Sequence, residues 1–576
     1  MTKKELSPAQ IIGEAPLGDS ILPVIDSSQP INQLCRSVAT NLERNTLFNF
    51  NGEFITIEKQ EIIDQDGSRS SRPRTVPMTP DRFVSWVGDF MYFRRADRPN
   101  ESYTSLTVDQ ARKILASDVL RAAMPEIKEI CPVRLPLWRR AEDGTQSIEL
   151  APEGYDESSK IYTCSCITFD ESTHYEPEAI KKAMFNLLGE FPWVDYDTDE
   201  DDDNLDPAHI AKKHRELFDA SRSVACYMAF TLGQFCRHLI TRHPAVIVNA
   251  NIPGSGKTLL ASLGLAAVFG TPEVNPMPKK EDDLGKLLFT HLLYGNPYIL
   301  LDDITGMAST FINQYATTRW ISDRVLGSNT LRTVENRMQI IGTGNDVRLT
   351  PDVARRALII DLFLDVKPTE KKHKRTLSST NLDAPEWRRS MLQILWSLVC
   401  NWAAKGCPRA LAPNSMPSFE SFVDVAGNIV VAAGWISPFT ARPDEGMGGD
   451  KTGRGIEMII QHMASLVTPQ TDDAPHKGLA RPYTLDDALE IAKLLGITDD
   501  VTFGIDKQKS LGHKLAAKKG MRFIDEYGRR CKFSRRRESD RTKYYLYIRS
   551  EPAADTAIPR VLSDNTVYMD PPSGRK

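Results

Sequence analysis

The chain predicts an α/β fold: a parallel-sheet core carrying a Gly-rich loop, preceded by an α+β region and followed by a helix-and-hairpin region. Three observations predict it. First, the apolar run Ala245-Val-Ile-Val-Asn-Ala enters the loop Asn251-Ile-Pro-Gly-Ser-Gly, which opens directly into an apolar helix closed at Gly270. Second, the apolar runs Tyr298-Ile-Leu-Leu-Asp302 and Met338-Gln-Ile-Ile-Gly-Thr-Gly-Asn345 end in polar side chains, and Ala357–Leu362 adds a third. Apolar runs of this length read as strands buried on both faces, the setting of a parallel sheet covered by helices. Third, a net charge of −4 hides fifteen Lys/Arg against four Asp/Glu between Lys507 and Arg549.

The N-terminal part says least. Residues 1–33 carry no periodic pattern and are expected to be unstructured. Residues 34–170 alternate strand and helix signals, with Asn51-Gly52 marking a hairpin inside Leu47–Ile57. They predict an α+β accessory domain without a catalytic constellation. Residues 171–214 are expected to be a linker around the acidic run Asp195-Tyr-Asp-Thr-Asp-Glu-Asp-Asp-Asp203, since like charges without apolar content repel and stay open. Val194-Asp-Tyr-Asp197 also imitates the Asp-x-Asp metal motif of archaeo-eukaryotic primases, but no His-containing partner motif follows.

The core, residues 215–370, holds the chemistry. Gly254 and Gly256 let the loop backbone curl so that N–H groups point inward at an anion, and the helix beginning near Thr258 adds its positive end. The loop residues Asn251, Pro253, Gly254, Ser255, Gly256, Lys257, Thr258 and Leu259 therefore form a candidate phosphate cradle. An ordinary Gly-rich βα turn is the bland alternative, and Asn251 stands where Gly or Ala is usual. Lys257 would reach the β- and γ-phosphates of ATP, and Thr258 would bind Mg²⁺. Asp302 ends a buried strand where open α/β sheets bind ligands and is the natural Mg²⁺ partner; Asp303 could polarise the attacking water. A solvated turn is the alternative for this acid pair. Trp320–Gly327 and Thr330–Val334 read as a β-hairpin just before the strand that ends at Asn345. Arg355 and Arg356 follow a short helix and adjoin the last strand, with capping or pairing to Asp352 as the alternative.

Beyond the core, Pro385–Trp402 and Phe419–Trp435 are strongly helical, so residues 371–437 are expected to form an all-α lid over the nucleotide. Arg388 or Arg389 is a candidate second sensor, a helix-surface arginine being the alternative. Residues 438–480 read as a linker. In residues 481–552, Thr484–Gly496 has a Thr-x-x-Asp start and a Gly stop, and Lys507–Lys519 is a basic helix with Leu511 and Leu515 on one face. Short strands follow, with Arg535-Arg-Arg537 expected at a hairpin tip. The order resembles a winged helix, with Lys509, Lys514, Lys518, Lys519, Arg535, Arg536 and Arg537 as candidate DNA contacts. A solvated basic face is the alternative. Residues 553–576 are expected to be a disordered tail.

Strands ending in Asp-Asp and Thr-Gly-Asn, with an arginine pair before the last strand, resemble the Walker B, sensor 1 and arginine-finger positions of AAA+ ATPases. With the hairpin before sensor 1, the stretch from Arg222 to Leu364 is most similar to superfamily 3-like replicative helicases of phages and mobile elements. The resemblance covers about a quarter of the chain. It implies a P-loop NTPase core that binds ATP and Mg²⁺, with Lys257, Asp303 and Asn345 acting on the nucleotide and a neighbour's Arg356, or else Arg355, completing the site. It also implies a homo-oligomer, hexameric by analogy, with single-stranded DNA in the ring, duplex DNA at the C-terminal domain, and a primase or other replisome component as a partner. The function expected is an ATP-dependent helicase or helicase loader. The alternative is a DNA-binding regulatory or anti-phage defence ATPase that does not unwind.

Hydrophobic content of 41% and charged content of 26% suit three or four globular domains. The N-terminus lacks the apolar core of a signal peptide, and no run approaches the ~20 apolar residues of a membrane span. A bacterial host cytoplasm and no membrane partner are therefore expected. Nine scattered cysteines, with Cys164 and Cys166 the sole close pair, predict reduced buried thiols rather than a zinc site.

Overall fold

The computed structural model describes residues 22–364, except 44, 64–68, 97–102, 195–206, 305, 308–309, 328 and 346. Beyond these it describes 382, 384–440, 451–466, 478–479, 483–502, and much of 511–524, 529–538 and 541–549. The chain divides into two units. One comprises Met1–Cys131 with Pro152–Cys164, and the other Pro132–Ala151 with Ser165–Lys576.

The first unit is α+β, as its alternating pattern predicts. A four-stranded sheet contains the hairpin at Asn51-Gly52, and both residues adopt the positive φ that this turn demands (49° and 85°). Helices Ile31–Asn41, Pro80–Val87 and Val108–Leu115 bury Leu34, Val38, Phe83, Ala111 and Ile114 in one core.

The second unit is built on five parallel strands: β1 (Ala245–Ala250), β2 (Val274–Pro276), β3 (Tyr298–Asp302), and, after a hairpin of β4 (Trp320–Arg324) with β5 (Leu331–Glu335), β6 (Gln339–Asn345) and β7 (Ala357–Leu362). Their order across the sheet is β2-β3-β6-β1-β7. Alternate residues face opposite helical layers, as a two-sided sheet requires. Ile247, Ile299, Leu301, Ile340 and Ile359 pack with Leu284 and Leu288 of α4 (Glu281–Leu293). The other face is covered by α2 (Arg222–Phe235) and α3 (Lys257–Phe269).

Three boundaries differ from the sequence expectation. Residues 22–33 are not unstructured: Val24–Asp26 is a strand, and Ile31 opens the first helix. Residues 171–194 are not a linker: α1 (Pro177–Leu188) buries Ile180, Met184 and Leu188, and Trp193 is wedged against Phe218, Phe191 and Tyr227. Helix Pro207–Asp219 follows, so within 171–214 only the acidic stretch 195–206, with the primase-like pattern, lies outside the described residues. The linker expected at 438–480 contains α6 (Lys451–Ser465), whose Ile456, Ile459, Ile460 and Met463 are buried at helical spacing. The proposed lid helix α5 (Pro385–Ala404) packs on α3, and buried Arg388 donates to the carbonyls of Ala267 and Val268 at that helix's C-terminal end. A guanidinium so placed caps the orphan carbonyls of α3. It sits at the opposite end from the loop and cannot serve as a second sensor; Arg389 instead donates to Thr168 O at 3.1 Å.

At the C-terminus, α6 and α7 (Leu485–Leu494) pack with a sheet of β8 (Gly478–Leu479), β9 (Arg522–Ile524), β10 (Arg530–Glu538) and β11 (Arg541–Arg549), ordered β8-β11-β10-β9. Thr484 caps α7 through the reciprocal bonds with Asp487 that its sequence predicts. Leu511 and Leu515 are buried, as the face reading of the basic helix requires. No helix among the described residues is long and apolar enough to cross a membrane.

Candidate functional site

The Gly-rich loop is shaped by backbone that only certain residues adopt. Gly254 and Gly256 have φ of 80° and 87°, and Gly256 is the N-cap of α3. Pro253 and Gly254 crown the loop in solvent, Ser255 is buried, and Leu259 is half-buried in the first helical turn. Both ends of the loop are clamped. The Asn251 side-chain amide donates to Leu364 O (2.8 Å) and accepts from Leu364 N–H (2.9 Å), a two-point bond that glycine or alanine at this position could not make. At the other end, a side chain on Gly256 would approach the Phe191 ring to 3.1 Å. Phe191 and Leu364 are themselves linked, because 191–194 lies antiparallel beside the extension of β7. Phe363 N–H donates to Pro192 O (2.7 Å) and Val194 N–H to Asp361 O (3.2 Å).

Three parallel strands then deliver polar side chains to the loop. Lys257 Nζ donates to Asn345 Oδ1 at 2.7 Å and lies 3.5 Å from Ser255 Oγ. Burial lowers the Lys257 pKa, partly offset by the charges of Asp302 and Asp303. Thr258 Oγ1 donates to Asp302 Oδ1 at 2.9 Å, and Thr343 donates a short hydrogen bond to the same oxygen. Thr343 and Asn345 share one face of β6 by strand alternation. Sequence reasoning singled out Asn345 and passed over Thr343, although a hydroxyl two residues from it in an otherwise buried strand was the available signal. Asn249 is a second omission: it accepts from Val347 N–H (2.9 Å) and donates to Asp361 Oδ1 (3.0 Å), tying the ends of β1, β6 and β7 together.

The two aspartates part company. Asp302 faces the network, whereas Asp303 is exposed with φ 56°, a left-handed conformation that Asp tolerates better than most residues. The turn after it is locked: Ile304 N–H donates to Thr343 O (2.9 Å), and any Cβ at Gly344 would come within 2.0 Å of Ile304 O.

Arg355 and Arg356 both pair with Asp352. Arg356 is further held by Thr317 Oγ1 (3.3 Å) and its side chain is 26% exposed, while that of Arg355 is 70% exposed. Both guanidiniums are thus engaged within their own chain, and Arg355 is the more exposed of the two.

The basic C-terminal residues do not form one set. Lys518 is 2% exposed and ion-paired with Glu457 at 2.8 Å, so it is a core residue rather than a DNA contact. Lys514 donates to Val501 O at 3.1 Å, and Arg535 is exposed. Arg535, Arg536 and Arg537 lie within β10 rather than at a hairpin tip, because the strand continues to Glu538, which pairs with Arg541. Lys509 and Lys519 lie outside the described residues.

No protein-family model matches the chain, and no curated protein matches it. Two solved structures of the NrS-1 C-terminal region in its A apo form are similar to it. One is 12% identical over 91% of this chain and 100% of that one, with a TM-score of 0.33. The other, spanning 305–718, is 11% identical over 85% and 96%, with a TM-score of 0.31.

Proposed function

We propose that the chain is a Mg²⁺-dependent ATPase of the AAA+, superfamily 3-like type, working as a helicase or helicase loader in the replication of a phage or mobile element. One observation carries the reading: two hydrogen-bonded sets, Lys257 with Asn345 and Thr258 with Asp302 and Thr343, converge at the carboxyl ends of the adjacent strands β1, β6 and β3. Ligands of open α/β sheets bind at that edge.

The residues fit the ligand. A hydroxyl and a carboxylate already in contact suit a hard oxygen-seeking cation, and Mg²⁺ would supply charge neutralisation at the phosphates. Thr258 and Asp302 would hold it. The loop N–H groups and Lys257 would orient the polyphosphate, with Lys257 exchanging its bond to Asn345 for a phosphate oxygen. Asp303 would orient water, and Asn345 would hold that water or the terminal phosphate in line. The exposed β4–β5 hairpin, with Trp320, Leu326 and Leu331 in solvent beside Arg324, suits contact with DNA.

Lys257→Ala should abolish ATP turnover while the folded structure survives, because that ammonium would meet the charge developing on the phosphates. A folded variant with wild-type turnover would sink the assignment. Strand displacement on forked DNA separates the helicase from a regulatory ATPase that binds DNA without unwinding it.

A further inference from the structure

The N-terminal unit presents a surface that the ATPase reading does not use. Strands Val24–Asp26 and Tyr92–Arg94 pair in parallel, and Phe93 forms an antiparallel bridge with Thr104. The inner face of this small sheet sends Ile25 and Phe93 into the core with Leu34, Val38, Ala111 and Ile114. Its outer face carries Val24, Tyr92 and Arg94, all exposed. Beside Tyr92 stands Tyr103, and the two rings stack at 4.8 Å with 23° between their planes. They are 43% and 58% exposed.

An exposed tyrosine is unremarkable alone, since much of any protein surface is apolar. Two stacked in solvent beside guanidinium groups are a more specific arrangement. Arg94 follows Tyr92 by two residues, about 6.6 Å along the same face. Asp26, in register with Arg94 on this face, accepts from Ser28 N–H (2.8 Å), Ser28 Oγ (2.6 Å) and Ala96 N–H (3.1 Å), and these bonds, with a smaller contribution from the Arg95 charge, hold its pKa below the ordinary value. Arg95 adds a second exposed guanidinium. Aromatic faces with cations beside them match the chemistry of an unpaired strand, in which bases offer π-faces and phosphates offer charge. A duplex hides its base faces and would have no use for the rings.

We infer that the Tyr92–Tyr103 face of the N-terminal unit binds single-stranded nucleic acid, stacking a base on the tyrosine pair and setting phosphate against Arg94 and Arg95. The inference stands whether or not the chain hydrolyses ATP.

The test uses the full chain carrying Lys257→Ala, without nucleotide, irradiated with short single strands containing 5-iodouracil, as DNA in one arm and RNA in the other. A crosslink mapped to Tyr92 or Tyr103 in either arm, competed by unlabelled single strands and not by blunt duplex, is the expected result, and the reactive arm identifies the sugar. Crosslinks confined to other segments in both arms would overturn the inference. In the same chain, Tyr92→Phe with Tyr103→Phe should leave the crosslink yield at this site intact. Tyr92→Ala with Tyr103→Ala should raise the concentration needed to protect the neighbouring strand from proteolysis about 5- to 150-fold, the range seen for losing one base–aromatic stack. Should the alanine variant not fold, the crosslink on the parent chain decides the matter.

Discussion

Arg355 offers the sharpest separation between a shared site and a self-contained one. Arg355→Ala removes an ion pair whose arginine side chain is 70% exposed. Exposed pairs contribute about 0–1 kcal/mol, so melting should shift by no more than about 4 °C in a domain of this size. A guanidinium completing the neighbour's site contributes ~10³–10⁵ in rate, or about 4–7 kcal/mol. The two outcomes differ so widely that stability cannot mimic catalysis. Arg356→Ala is the internal control, since it loses the 3.3 Å bond to Thr317 and the 3.2 Å pair with Asp352. It should cost about 1–3 kcal/mol of stability with a small effect on turnover. The assay is ATP turnover at saturating nucleotide, followed by mixing Arg355→Ala with Lys257→Ala subunits. Mixed assemblies contain interfaces with both groups intact, so activity should partly return. Turnover by Arg355→Ala within threefold of the parent, or no recovery in subunits shown to exchange, would refute the shared site.

Asp302→Asn should weaken Mg²⁺-dependent nucleotide binding, because Thr258 and Thr343 both donate to that carboxylate; isothermal titration with and without Mg²⁺ checks this. Asp303→Asn preserves the left-handed turn, which Asn also tolerates, and should slow hydrolysis while binding persists in single-turnover kinetics. Trp193→Ala empties a buried site and should cost about 3–5 kcal/mol in denaturant unfolding, while raising KM through the loosened Phe191 contact on Gly256. His243 is fully buried, and burial holds its pKa well below the ordinary value, with Arg237 adding repulsion. Its proton therefore prefers the unfolded chain. The stability it contributes is complete above about pH 6.5 and is lost as pH falls towards the depressed folded value. His243→Leu should flatten the melting-temperature profile below about pH 6.5; an unchanged slope would show that other groups set it.

The Gly-rich loop, the acid-ended strand and Asn345 were legible in the sequence because polar and glycine residues interrupt apolar runs at strand ends. The hairpin at β4–β5 was legible through its alternation. What escaped were contacts fixed by tertiary packing. Phe191-Pro-Trp-Val is too short to signal a strand and runs into the acidic stretch, so it read as linker. The period-3.6 apolar set Ile456, Ile459, Ile460 and Met463 was present, but Gly, Pro and charge upstream masked it. Lys518 was counted by charge alone, and only the fold shows Glu457 beside it in the core. The two arginines differ by one position in sequence and by a helical turn's geometry in exposure.

The clamp around the Gly-rich loop changes what counts as a complete module. Every motif of the proposed nucleotide site lies between Ala245 and Leu362, so a fragment cut to those motifs would look whole. Yet the strand that seats Phe191 over Gly256 arrives from upstream, and the backbone that grips Asn251 comes from Leu364, beyond the last motif. During synthesis the loop can reach its final shape only after residue 364 has emerged and paired with a segment made some 170 residues earlier. A trimmed module starting near Arg222 would keep all the motif residues and leave one wall of their cradle behind.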